Sequence, residues 1–139
     1  MIVLETDVLS AIIAPLPIPR VAAWLDAQSA TDLCLTAITV YEVRVGIELL
    51  PASRERSALE GAFRTALKET FEGRVLPFDW DAAEEAGKLA ARRQHMGRPK
   101  EHRDTQIAGI VLSRGAALAT RNVRHFSDLE LPIVDPWAA

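Results

Sequence analysis

Glu5 and Asp7 stand two residues apart, directly after the apolar run Ile2-Val3-Leu4, with Thr6 between them and Val8-Leu9 beyond. A short branched run of this kind has the make-up of a strand buried on both faces, and Thr6 is placed to cap a following helix. Two carboxylates are then delivered at the carboxyl end of a strand, where open α/β sheets gather their ligands. Three further groups share this character: Glu42 in an apolar helical stretch, Asp104 at the head of another, and Asn122 just after Ala116–Ala119. Carboxylates crowded into one cleft repel and raise one another's pKa unless a cation sits among them. Hard oxygen ligands suit Mg²⁺ or Mn²⁺, and such an ion activates water and stabilises charge on a phosphodiester. Each group also has a plain structural reading. Glu5, Asp7 and Asp104 complement helix dipoles, Glu42 follows Thr39 at capping-box spacing, and Asn122 starts a turn. On the residues alone both readings stay open.

The elements that must position these groups are legible in the same pattern. Val8 to Ala14 read as a short helix stopped by Pro15, Pro17 and Pro19, and Val21 to Leu25 as a second helix. Leu33 to Leu35 form a strand, and Ile38 to Leu50 a helix with apolar residues at three- and four-residue steps. Ser53 caps a charged helix reaching about Glu72, Val75 to Phe78 form a strand, and Asp79 or Asp81 caps the next helix, broken at Gly97 and Pro99. Asp104 to Arg114 is a helix closed by Gly115, followed by strands at Ala116–Ala119 and Leu131–Val134. Strands alternating with helices predict an α/β fold, a single parallel sheet with helices on both faces, and one domain over residues 1–139.

Composition narrows the field. The 139 residues hold 49% hydrophobic side chains, enough for a core and too many for a disordered chain. No apolar run approaches the ~20 residues of a membrane span, and the opening residues do not read as a signal peptide. Cys34 has no second cysteine to pair with, so a reducing, cytoplasmic setting is expected and the thiol reads as a small buried hydrophobe. The net charge of −3 argues against a nucleic-acid coat, although a local basic surface decides that question more than the sum. Such a surface is offered by Ala91–Arg103. There Arg92 and Arg93 read as a solvated helix end, while Arg98, Lys100 and Arg103 adjoin Asp104 and are placed to guide a phosphate backbone. Arg121 is a further candidate. His95, His102 and His125 form no zinc pattern, and Trp24, Trp80 and Trp137 read as packing residues.

Four stretches, MIVLETDVLS, ITVYEVRVGIELLP, GRPKEHRDTQIAGI and ALATRNVRHF, resemble in order and spacing the signature blocks of the PIN-domain ribonucleases, and more closely the VapC-type toxins of type II toxin–antitoxin pairs. The likeness extends to the Asp135-Pro136-Trp137 ending. It implies sheet order 3-2-1-4-5, a homodimer, an acidic pocket for Mg²⁺ or Mn²⁺, and metal-dependent endonucleolytic cleavage of RNA, with tRNA among the possible targets. It also implies a cognate VapB-type antitoxin that blocks the site and carries any contact with operator DNA. By resemblance Glu5, Glu42 and Asp104 take the catalytic acidic positions, with Asp7 as an additional metal ligand. Thr120 and Asn122 match the polar residues after the fourth strand, and Thr6 would orient ligands or water through hydrogen bonds. Two departures stand out. Glu5 replaces the usual Asp, a side chain longer by about one bond in a site where Mg²⁺ demands near-ideal geometry. His125 stands where an acid is common. Both make a PIN-like module that only binds RNA or antitoxin an alternative to the nuclease. A second alternative, a phosphatase resembling the haloacid dehalogenases, rests on the strand-end acid pair but needs a nucleophilic Asp where this chain has Glu5.

Overall fold

The computed structural model describes residues 1–139. Five parallel strands lie in the order β3-β2-β1-β4-β5, with β1 at Ile2–Leu4, β2 at Leu33–Thr36, β3 at Val75–Leu76, β4 at Ala117–Ala119 and β5 at Ile133–Val134. Six α-helices connect them: α1 Thr6–Ile13, α2 Pro19–Asp26, α3 Ala37–Glu48, α4 Arg54–Thr65, α5 Trp80–His95 and α6 His102–Arg114. The expected α/β sheet with helices on both faces is present, in the order the resemblance implied.

Successive strand side chains point to opposite faces, and each face has its own apolar cluster. Leu4, Leu33, Leu35 and Ala119 pack with Val8, Val43, Ile47, Phe63 and Phe71 from the helices that precede β3. Val3, Cys34 and Leu118 pack with Leu89, Ile107, Val111 and Phe126 from the later half of the chain. Burial on both faces explains why the strands read as continuous apolar runs rather than as alternating ones. Cys34 is buried as expected, and its thiol, pushed up by that burial, lies 3.5 Å from the Ile2 carbonyl. No helix is long and apolar enough to cross a membrane.

Several expected boundaries move, each for a local reason. Glu5, not Thr6, is the N-cap of α1; Thr6 is helical and its hydroxyl is engaged elsewhere. Thr36 caps α3, its hydroxyl accepting from the Thr39 amide at 3.1 Å, so Thr39 lies inside the helix and the capping-box reading of Glu42 fails. The helix from Ser53 does not continue to Glu72 as an α-helix. After Thr65 it widens into a π-turn over Ala66–Thr70, which swings Phe71 fully into the core. Glu101 caps α6 through its Oε2, which accepts from the amides of Arg103 and Asp104 at 2.9 and 3.2 Å, so the helix starts two residues before Asp104. Trp80 is 82% exposed and packs in no core, whereas Trp24 and Trp137 do pack against the first cluster.

Helices α5 and α6 pack tightly at Gly109. A Cβ there would meet the Ala82 carbonyl oxygen at 2.5 Å and the Ala86 Cβ at 2.6 Å. The backbone has to move to admit even one methyl. Gly109→Ala is therefore expected to destabilise the fold by about 1–3 kcal/mol, measured by denaturant unfolding against Gly87→Ala, where nothing lies within 4 Å.

Candidate active site

The site is built where the β1–β4 ladder runs out. The Glu5 amide donates to the Ala119 carbonyl at 2.9 Å, and the Thr120 amide to the Val134 carbonyl at 3.0 Å. This sets Glu5 and Thr120 side by side at the carboxyl edge of the sheet. The Thr120 hydroxyl donates to Glu5 Oε2 at 3.3 Å and accepts from the Asn122 amide at 3.0 Å. Glu5 is only 5% exposed. Burial, together with the charge and hydrogen bonding of Asp7 and the charge of Asp104, pushes its carboxyl up to about 9. A carboxyl with that pKa is protonated at neutral pH.

Asp7, in the first turn of α1, turns toward the loop after β4. Its Oδ2 accepts from the Arg121 amide at 2.9 Å and from the Asn122 side-chain amide at 3.4 Å. Its Oδ1 is buried with no hydrogen-bond partner, and buried carboxylate oxygens rarely go unpartnered. Asp104, in the first turn of α6, is raised by burial, opposed by a 3.0 Å contact from its Oδ2 to His125 Nδ1. Glu42 approaches from α3: Thr6 donates to its Oε1 at 2.7 Å, and Arg103 pairs with its Oε2 at 3.6 Å. Thr39 completes this corner, its hydroxyl 3.0 Å from that of Thr6.

Glu5, Asp7, Glu42 and Asp104 thus meet at one edge from three separate elements, with Thr6, Thr120 and Asn122 hydrogen-bonded to them. Arg103, adjoining Asp104 in sequence, joins the α3 and α6 sides of the cleft by its contact with Glu42. The carboxylates are shared among separate partners, and no three acidic, imidazole or thiol groups stand close enough to hold one ion together. The donor chemistry nevertheless fits a hard dication. The set is all oxygen, Asp7 Oδ1 is unpartnered, and Glu5 and Asp7 have no cationic side chain within ion-pairing distance.

Of the cations, Arg103 is committed to Glu42 and Glu101. Lys100 and Arg121 line a concavity beyond the acids, and Arg98 lies at the adjoining one with Lys100. Arg93 departs furthest from expectation. It is 2% exposed and forks onto Asp128 at 2.8 and 2.9 Å, so the reading of it as a solvated helix end is wrong. Its partner lies 35 positions away, so no local pattern could have announced the pair. Glu101 and Thr39 were also missed. Glu101 lies three residues before Asp104, at N-cap spacing, and that spacing was a usable signal.

A family model described as the PIN domain matches residues 2–130, and the chain belongs to the PIN-domain family. Over 137 residues it is 36% identical to VapC ribonuclease Y4jK of Sinorhizobium fredii, covering 99% of this chain and 98% of that one. It is 30% identical over 109 residues to the tRNA(fMet)-specific endonuclease VapC of Salmonella typhimurium, covering 78% of each. The crystal structure of FitAcB from Neisseria gonorrhoeae superposes with a TM-score of 0.90 at 32% identity, with both chains fully covered. Within the family the chain belongs with the VapC-type toxin nucleases of toxin–antitoxin systems. That membership sets the dehalogenase-like reading aside.

The Glu5 carboxyl also makes stability depend on pH. Its folded pKa is raised above the ordinary 4.5, so between the two values the folded state binds the extra proton. Stability then falls as pH rises through that window. Glu5→Gln removes the ionisable group and keeps the shape. The variant is expected to be more stable than the parent by over about 1 kcal/mol, the worth of one pK unit, at pH 8, and by less at pH 5. Thermal melts at the two pH values measure the difference.

Proposed function

We propose that residues 1–139 act as one PIN domain that cleaves RNA as the toxin of a type II toxin–antitoxin pair, with Mg²⁺ or Mn²⁺ at its acidic cleft. The observation that carries this reading is the burial of Glu5 against Asp7 and Asp104 with no protein cation between Glu5 and Asp7. Crowded acids of which one keeps its proton for want of a cation are a setting in which a dication can take that proton's place. The ion would be held by Glu5, Asp7, Glu42 and Asp104, directly or through water. When bound, it supplies positive charge to phosphate oxygens and makes a water more acidic.

The chain's own residues do the rest. Thr6 fixes Glu42 and Thr120 fixes Glu5, each by a hydroxyl donor, and the Asn122 amide orients Asp7. Glu5, Glu42 and Asp104 are the acids on which cleavage depends. Lys100, Arg121 and Arg98 draw the RNA backbone toward them. The named activities of the VapC relatives support RNA, tRNA included, as substrate. A cognate antitoxin is supported by the kinship with the toxins and by an apolar groove of about 400 Å³ lined by Ile13, Val43, Ile47, Leu50 and Leu59. Thr6 and Glu42 also line this groove, so a partner segment lying in it would touch the acidic cleft.

Total RNA incubated with the protein is expected to acquire new ends with Mn²⁺ and none with chelator. Asp104→Asn and Glu42→Gln should each lower cleavage by more than about 100-fold, beyond the 10–100-fold usual for outer partners of a metal site, with the fold retained by circular dichroism. Full cleavage by the double variant contradicts the assignment. RNA binding by the parent without cleavage at any Mn²⁺ concentration favours the binding-module alternative.

A further inference from the structure

Arg44, Arg56, Arg74 and Arg114 are each paired with a carboxylate. Lys100, Arg121 and Arg124 have no carboxylate partner, and all three line one cavity of about 480 Å³ with Asn122 and His125. Its one acid, Asp135, is turned to the Trp137 amide, which donates to its Oδ1 at 2.9 Å. Three unpaired cations facing one concavity in a chain of net charge −3 mark a place for anionic oxygens.

The cavity shares a wall with the acidic cleft. The loop after β4 contacts Asp7 through the Arg121 amide and the Asn122 side chain, and Asp104 through His125. The same residues line the basic cavity. An anion there sits next to the site where the acids would act.

An exposed loop is a poor scaffold unless something fixes it, and here the fixing group is Arg93. Its guanidinium is buried beneath the loop. It donates to the His125 carbonyl at 3.0 Å, to Thr105 Oγ1 of α6 at 3.0 Å, and twice to Asp128. One side chain on α5 thereby ties the helix that carries Asp104 to the loop that carries Arg121 and Arg124. At the other end Arg121 lies over the Trp137 ring, 5.1 Å from its centroid, which restrains its long side chain.

We propose that this cavity binds the RNA phosphate adjacent to the one cleaved, with Lys100, Arg121 and Arg124 as its contacts and Arg93 as the residue that positions the loop carrying Arg121 and Arg124. The inference rests on the nuclease reading and adds to it the place where the substrate backbone is held. Arg124, which the sequence reading does not single out, is a substrate contact on this account.

The test uses the full chain and a labelled single-stranded RNA of mixed sequence, with EDTA present so that binding is read without cleavage. Affinity is measured across a salt series. For single strands each phosphate contact adds about 0.7 to the slope of log affinity against log salt. Lys100→Ala/Arg124→Ala, both at exposed positions, should bind at least tenfold more weakly and lose about 1.4 from the slope. Arg93→Lys removes no cation from the cavity. It should weaken binding several-fold while the slope stays that of the parent, the signature of a positioning residue. Parent-like affinity and slope in the double variant overturn the proposal. So does a variant that binds RNA normally but releases the antitoxin, which would assign the cavity to the partner. Parent-like affinity in Arg93→Lys overturns the positioning role. If Asp104→Asn abolishes cleavage while the double variant keeps its slope, the cavity fails and the nuclease stands. If the slope falls as expected but the parent never cleaves RNA with Mn²⁺, the nuclease reading fails and takes the adjacent cleaved phosphate with it.

Discussion

Burying Glu5 beside Asp7 and Asp104 is the constraint on which the rest of the structure depends. The β1–β4 ladder has no freedom to separate Glu5 from Thr120, because the strand pairing continues through the Glu5 amide. The helices that begin at this edge bring in Asp7 and Asp104 with their first turns and Glu42 from the second turn of α3. Like charges at this range favour the protonated acid or an added cation, and either way the folded chain is less stable than an apolar version of the same edge would be. Two apolar clusters, one on each face of the sheet, offset that cost. Instability concentrated at one sheet edge and supported by the core elsewhere is the pattern expected of a site kept for chemistry.

The loop after β4 gives this edge a second character. Its backbone and amide groups face the acids, while its cationic side chains face away into a separate concavity. An acidic cleft alone repels a polyanion, so a nuclease of this design needs positive charge close by but not neutralising the acids. Separating the two by the width of one loop meets that need. The overall charge of −3 conceals it, since it says nothing of where Lys100, Arg121 and Arg124 are gathered.

The fold was legible in the sequence because its signals are local. Doubly buried strands read as apolar runs, proline and glycine punctuate the helices, and Ser53, Asp79 and Gly115 cap where their types predict. The candidate acids Glu5, Asp7 and Asp104 stand out in the sequence because they lie at a strand end or a helix start, whereas Glu42, inside α3, stands out only through the resemblance. What sequence hid is non-local or geometric. The Arg93–Asp128 pair joins residues with no shared pattern, the π-turn after Thr65 answers to the packing of Phe71, and Thr6 looked like a cap because its real partners, Thr39 and Glu42, lie more than 30 positions away. His125 looked like a loss of acid; in place it is the hydrogen-bond partner of Asp104.

The crowding of acids around Glu5 is tested most directly by counting protons when Mn²⁺ binds. Titration calorimetry at pH 7 in two buffers of different ionisation enthalpy gives that number without any RNA. The account predicts release of about one proton per ion, because the Glu5 carboxyl, raised to about 9, must ionise to become a ligand, and no release from Glu5→Gln. Binding with no proton release from the parent, or the same release from the variant, would contradict it.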